Sequence, residues 1–300
     1  MTPAIEVQHL TKRYGRLVAV SDLTLEVAAG EIVGFLGPNG AGKTATIRTL
    51  MGFLLPTSGS GRVLGSTLAS NAGLKRRVGY LPGDFRADGA MTAAQLFSWF
   101  ADLRGMRDRA RTAQLSERLG LDRSRAFDKL SKGNRQKVGI VQAFMHDPEV
   151  LILDEPTTGL DPVVQREFLA ITREAAARGA AVLFCSHVLP EVARVADRVG
   201  IIDRGRLVTL ASVDDLLSRA RRSLDLHFAG PPPEASLRAA QGVVSVQVDG
   251  RSATVVVDGP VGPALKAATE NGLVLRIDTM GDELEDVFIS VLSPPPETPS

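Results

Sequence analysis

The stretch Gly37-Pro38-Asn39-Gly40-Ala41-Gly42-Lys43-Thr44 constrains this chain more than any other. It follows an apolar run, Ile32-Val-Gly-Phe-Leu36, that reads as a buried strand, and it leads into a helix-like stretch over 44–52. The spacing G-x-x-x-x-G-K-[ST] between a strand and a helix specifies a loop that cradles phosphate. Its glycines let successive backbone N–H groups turn inward as an anion nest, and the helix N-terminus adds its dipole. Lys43 supplies a point charge and the Thr44 hydroxyl can ligate Mg²⁺. Each charge-assisted hydrogen bond nets roughly 1.5 to 3 kcal/mol, so several converging on one ligand can hold a triphosphate.

A second apolar run, Val150-Leu-Ile-Leu-Asp154-Glu155, ends in two adjacent carboxylates. Beside a phosphate loop, Asp154 is suited to hold Mg²⁺ and Glu155 to polarise an attacking water, a role worth about 10² to 10⁴ in rate. The plainer alternative is a solvated turn. Further buried runs over 182–185 and 199–202, with a helical pattern over 162–178 between the first carboxylate strand and the next, predict an α/β core with a parallel sheet covered on both faces. Residues 5–7, 17–20 and 23–27 read as short strands before it, and 91–100, 110–119 and 134–145 read as helices, a helical insertion spanning about 85–148.

The texture changes near residue 217. A strand over 224–228, a helix over 234–240, strands over 243–248 and 253–257 joined by Asp249-Gly250, a helix over 263–270 and a strand over 273–277 give the order β-α-β-β-α-β, and a last helix over 282–292 follows. The expected division is therefore an ATPase-like domain over 1–218, a small α+β ferredoxin-like domain over 219–293 and a Pro-rich disordered tail over 294–300. A net charge of +1 gives no electrostatic reason to expect nucleic acid as a partner. The single Cys185 lies in an apolar run and is expected to pack in the core. No apolar run approaches the roughly 18 to 20 residues of a spanning helix, so a membrane role would run through another polypeptide.

Leu130-Ser131-Lys132-Gly133-Asn134 resembles the LSGGQ signature of ABC ATPases. The resemblance extends to Asp154-Glu-Pro-Thr-Thr-Gly-Leu-Asp161, similar to the family's Walker B segment and D-loop, and to Ser186-His187, similar to its switch histidine. Tyr14 matches the aromatic residue that stacks on adenine. The motifs stand in the family's order over about 4–220, which implies a P-loop ABC-type ATPase with a mixed sheet core, an antiparallel β subdomain and a helical insertion. The resemblance also implies ATP and Mg²⁺ as cofactors and a head-to-tail homodimer or pseudo-dimer. In that pair, ATP at Lys43 of one copy is covered by Ser131, Lys132, Gly133 and Asn134 of the other, His187 touches the γ-phosphate and Asp161 communicates between sites.

Two positions depart from the pattern. After Tyr80-Leu-Pro82, where the family commonly carries glutamine, stand Gly83 and Asp84, and after Thr44 stands Ala45 in place of a hydroxyl donor. Slow turnover is expected, with Asp84 or the Gly83 backbone taking over part of the missing contact. The resemblance, together with Glu283-Leu-Glu-Asp-Val-Phe288, implies the ATP-hydrolysing subunit of a drug or lipid exporter. It would lie at the cytoplasmic face of the membrane and drive a separate membrane-spanning permease. The alternatives are a soluble ABC ATPase and a nucleotide-gated regulatory module. Phe97, Trp99 and Phe100 either contact the permease or fill the local core, His9, His146 and His227 are read as structural, and the C-terminal domain as a brace.

Overall fold

The structure is a computed structural model, and it describes residues 3–67, 72–218 and 221–280. The chain divides into two compact units, Met1–Leu210 and Ala211–Ser300. The first begins with β1 (Ile5–Tyr14), β2 (Leu17–Val27), β3 (Ile32–Leu36), α1 (Lys43–Leu50), β4 (Ser58–Val63), α2 (Ala72–Lys75) and β5 (Val78–Leu81). Three helices follow, α3 (Ala93–Arg104), α4 (Ala110–Arg118) and α5 (Lys132–Phe144). Then come β6 (Val150–Asp154), α6 (Pro162–Ala177), β7 (Ala181–Ser186), α7 (Leu189–Ala193), β8 (Arg198–Asp203) and β9 (Arg206–Ser212), which reaches the division. The second unit holds α8 (Val213–Ser218), β10 (Arg221–Phe228), α9 (Glu234–Ala239), β11 (Val243–Asp249), β12 (Ser252–Asp258), α10 (Gly262–Asn271) and β13 (Val274–Met280).

The larger sheet has the order β5-β6-β7-β3-β8-β9, and β5, β6, β7, β3 and β8 pair in parallel. Every residue of β3, β6 and β7 is buried, as strands covered on both faces require, and that is why their sequences show no polar alternation. Parallel pairing brings the C-terminal ends of β5, β6, β7 and β3 to one edge, with Leu81 opposite Leu153, Asp154 opposite Cys185 and Leu36 opposite Ser186. That edge, outside the carboxyl ends of the strands, is where open α/β sheets bind ligands. The rings of Phe144, Phe168 and Phe184 stack in sequence at 6.1 and 5.9 Å and join α5, α6 and β7, each ring contributing roughly 1.5 to 3 kcal/mol by burial. Cys185 is fully buried and free.

A three-stranded antiparallel sheet, β2-β1-β4, forms the other layer. The two strands expected over 17–20 and 23–27 are one, β2, kept continuous past Asp22 by a local irregularity in which that residue takes a φ of 55°. The helices of the insertion carry their stop and start signals in sequence. Thr92 and Gln95 form a reciprocal capping box at the start of α3, with bonds of 2.8 and 3.2 Å, and Gly105 ends it at φ 71°. Phe97 is buried in the local core, whereas Trp99 is 51% exposed and Phe100 half-buried, so only the first of the three fills the core completely.

In the second unit the strands run β11-β12-β10-β13, all antiparallel, with Leu224, Leu226, Phe228, Ala253, Val255 and Val257 packed on the face that meets Leu237, Ala264 and Ala268 of the helices. The described elements keep the β-α-β-β-α-β order. The division falls before α8 rather than after residue 218. The helix expected over 282–292, the segment from Glu283 to Phe288 and the tail over 294–300 lie outside the described residues.

Candidate functional site

A cleft of about 580 Å³ opens at the carboxyl edge of the larger sheet, lined by the phosphate loop, the start of α1, the ends of β5 and β6, and Ala19. Pro38, Asn39, Gly40, Gly42, Lys43, Thr44 and Ala45 face it from one side, and Gly83, Asp84, Asp154 and Glu155 from the other. Gly37 and Ala41 belong to the loop without lining the cleft. Gly42 has φ 114°, and a Cβ there would meet the Ala19 carbonyl oxygen at 2.6 Å, so only glycine closes this turn.

Lys43 is buried, and its ammonium donates to the carbonyl oxygens of Gly37 and Pro38, the latter at 3.3 Å. The same ammonium stands 3.7 Å from Glu155 Oε1, a buried oxygen that has no hydrogen-bond partner. The other carboxylate oxygen, Oε2, lies 2.7 Å from His187 Nδ1. Lys43, Glu155 and His187 thus form one continuous chain of polar contacts across the ends of β3, β6 and β7. Burial pushes the Asp154 carboxyl above its ordinary range, the Glu155 charge adds to that, and Lys43 and the Gly83 N–H oppose it. The nearby Tyr80 hydroxyl is pushed up to about 12, by burial first and by the Asp154 charge second. Glu155, whose Oε1 has no hydrogen-bond partner, and Asp154 line the same cleft as Thr44, and this all-oxygen donor set fits Mg²⁺.

The remaining expected residues stand apart. Tyr14 ends β1, 46% exposed and outside the cleft lining, with the Lys12 ammonium 5.1 Å over its ring. Ser131 caps α5 by accepting from the Asn134 N–H at 3.3 Å, as its sequence position predicts. Gly133 lies in the first turn of α5, where a Cβ would come within 2.6 Å of the Gly159 carbonyl oxygen, and Lys132 lies against that same glycine. The signature segment therefore packs onto the loop that carries Asp161 in its own chain. Asp161 caps α6, accepting from the Val163 and Val164 N–H groups at 3.0 Å each, and those bonds hold its carboxyl below the usual range.

A family model described as "ABC transporter" matches residues 20–158. The bacitracin transport ATP-binding protein BcrA of Bacillus licheniformis is 35% identical over 303 residues, covering 97% of this chain and 98% of BcrA. The chain belongs to the ABC transporter ATP-binding proteins. YbhF of Escherichia coli K12, named a probable multidrug ABC transporter ATP-binding protein, is 37% identical over 222 residues; the match covers 72% of this chain but 38% of YbhF's own length. A solved structure titled as the ATP binding subunit of an ABC transporter superposes with a TM-score of 0.67 at 31% identity, covering 72% of this chain and 92% of that one. The ABC ATPase fold and nucleotide binding expected from the motifs thus hold for this chain.

Within this ABC ATP-binding protein, the departure at Gly83 leaves a bare backbone beside the Asp154 carboxylate in the cleft lining. The Gly83 N–H counters the upward shift of the Asp154 carboxyl, whereas the Asp84 carboxylate accepts from Arg86 Nε and Nη2 at 2.8 and 2.6 Å and is mostly exposed. Two residues in contact with the site escaped the sequence reading. Arg48 lines the cleft from α1, one helical turn after Thr44, so helix periodicity was the signal that could have found it. Gln136, three residues after Gly133 on the same face of α5, reaches the backbone of the Glu155 turn. Among the described residues no helix is long and apolar enough to cross a membrane.

Proposed function

We propose that this chain binds and hydrolyses ATP with Mg²⁺ and couples that cycle to export through a separate membrane-spanning subunit. The observation that carries the reading is the convergence of Lys43, Asp154, Glu155 and His187 at one sheet edge, with Glu155 bridging the lysine and the histidine. Glu155 takes the proton of the attacking water, its second oxygen steadied by the His187 imidazole. Lys43 and the N–H groups of the loop bind the β- and γ-phosphates, and the α1 N-terminus adds its dipole. Thr44 and Asp154 would hold Mg²⁺, which supplies charge neutralisation of the phosphate oxygens when bound. In this reading Tyr14 stacks on adenine, and Ser131, Lys132, Gly133 and Asn134 of a second copy close over the triphosphate. Asp161 lies where the two copies meet.

Export is favoured over a soluble ABC ATPase because BcrA, which this chain matches over nearly all of both lengths, is named a transport protein. The half-exposed Trp99 on α3 suits a contact with the membrane subunit, and a peripheral position on the cytoplasmic face follows from such a partner.

The test is Glu155→Gln, assayed for phosphate release and for mass by light scattering with and without saturating Mg-ATP. Turnover is expected to fall about 10² to 10⁴-fold with ATP binding kept, and a monomer is expected to become a dimer only with nucleotide. Wild-type turnover in this variant would remove Glu155 from the chemistry, and a protein that binds ATP but stays monomeric would count against the composite site.

A further inference from the structure

The turn that carries Glu155 is an unfavourable piece of backbone. Glu155 has a φ of 48°, in a region that residues with a side chain seldom occupy, and it precedes Pro156, whose ring crowds the residue before it. Such conformations persist only where the surroundings hold them. The Glu155 N–H donates to the Cys185 carbonyl of β7 at 2.9 Å, and the Thr158 N–H reaches the Glu155 carbonyl at 3.3 Å. The remaining restraint comes from another element. Gln136 of α5, 7% exposed, donates its Nε2 to the Pro156 carbonyl at 2.9 Å and to the Glu155 carbonyl at 3.3 Å. Both partners are acceptors, so the orientation of that amide is fixed by its surroundings: only the NH₂ end can face them.

We propose that Gln136 is a positioning residue for hydrolysis, which ties α5 to the Glu155–Pro156 turn and sets where the Glu155 carboxylate stands. The inference rests on the reading of Glu155 as the general base. It also gives α5 a second task. The first turn of that helix holds Ser131, Gly133 and Asn134, so a displacement imposed at its N-terminus is delivered by Gln136 to the base of the same chain. A contact made at one nucleotide is thereby felt at the catalytic turn of the other.

The experiment compares wild type, Glu155→Gln, Gln136→Met and Gln136→Asn as full chains, measuring kcat and KM for ATP hydrolysis and nucleotide affinity separately. Methionine keeps the volume of Gln136 without its N–H donors, and asparagine keeps the amide but falls short by one methylene. The expected result for Gln136→Met is a kcat lower by about 10 to 10²-fold, with KM and nucleotide affinity within about twofold of wild type. A Gln136→Met protein that turns over at the wild-type rate overturns the inference. So does one that loses kcat and nucleotide affinity together, since that is the signature of a merely structural residue. Should the methionine variant fail to fold, the asparagine variant decides by the same split, full turnover refuting and a selective loss of kcat supporting. Wild-type turnover in Glu155→Gln sinks the reading of the base and this inference with it. A dead Glu155→Gln beside a fully active Gln136→Met sinks the inference alone.

Discussion

Replacing Gly83 by glutamine restores the residue type that the ABC family commonly carries at this position, and the geometry says what it would do. A Cβ on Gly83 would lie 3.5 Å from the Asp154 carbonyl oxygen and 3.6 Å from its carboxylate, ordinary contact distances, and the backbone there is not left-handed. A side chain therefore fits without strain and enters the cleft shared by Lys43, Thr44, Asp154 and Glu155. Two effects follow. Replacing glycine narrows the unfolded ensemble, worth about 0.4 to 1 kcal/mol of stability. A positioned amide beside the attacking water is worth up to about 10²-fold in rate, or about 2.7 kcal/mol of barrier. The kinetic effect is the larger, so Gly83→Gln is expected to raise single-turnover phosphate release at saturating Mg-ATP clearly above wild type, with a small rise in Tm. A variant that folds, binds ATP and gains stability but releases phosphate no faster would show that the Gly83 backbone already does what the amide was to do. A wild type with no phosphate release at all, repaired by glutamine, would favour the nucleotide-gated regulatory reading.

Two further outcomes follow from burial of titratable groups. The Asp154 carboxyl is raised above its unfolded value, so its ionisation above that point weighs against the folded state; Asp154→Asn is expected to raise Tm without nucleotide at neutral pH while abolishing Mg²⁺-dependent nucleotide binding, and a lower Tm would refute the cost of that burial. His146 is held down to about 4, by burial first and the Arg104 charge second, with Nε2 3.3 Å from the Val78 carbonyl oxygen and Nδ1 unpartnered. A depressed histidine contributes stability that is present above its unfolded pKa and lost as pH falls, because the unfolded chain takes up the proton first. Between about pH 6.5 and 4 this loss amounts to about 3 kcal/mol, and urea unfolding of His146→Gln should show a correspondingly flatter pH dependence, an identical slope counting against it.

What the sequence disclosed and what it hid divide along a physical line. Strands β3, β6 and β7 were readable because a strand buried on both faces has no choice of composition. Lys43, Thr44, Asp154 and Glu155, which the structure gathers in one cleft, could be singled out because phosphate and carboxylate chemistry ask for particular side chains at particular strand ends, whereas His187 was singled out only through the family resemblance. Strand β4, Ser58–Val63, carries two glycines and two serines and gives no periodic signal; its pairing with β1 runs through backbone bonds that any residue can make. Gln136 was hidden for the same reason, since its partners are main-chain carbonyls about twenty positions away and leave no trace in side-chain type. Asp22 hid the continuity of β2, because a polar residue in left-handed backbone reads as a turn although the strand passes through it.

The charges at the cleft also argue for how ligand and fold depend on one another. Lys43 and Arg48 stand against Asp84, Asp154 and Glu155, so the lining carries a formal excess of negative charge before any ligand arrives. A triphosphate brings several negative charges toward these carboxylates, one of them already raised by burial, and this is unfavourable unless a divalent cation comes with it. The Lys43 ammonium is meanwhile engaged by the Gly37 and Pro38 carbonyls, so phosphate must displace contacts the loop already makes. Only the difference between those carbonyl contacts and the phosphate contacts counts toward affinity. Nucleotide affinity in this chain should therefore depend more steeply on Mg²⁺ than the number of loop N–H donors alone would suggest.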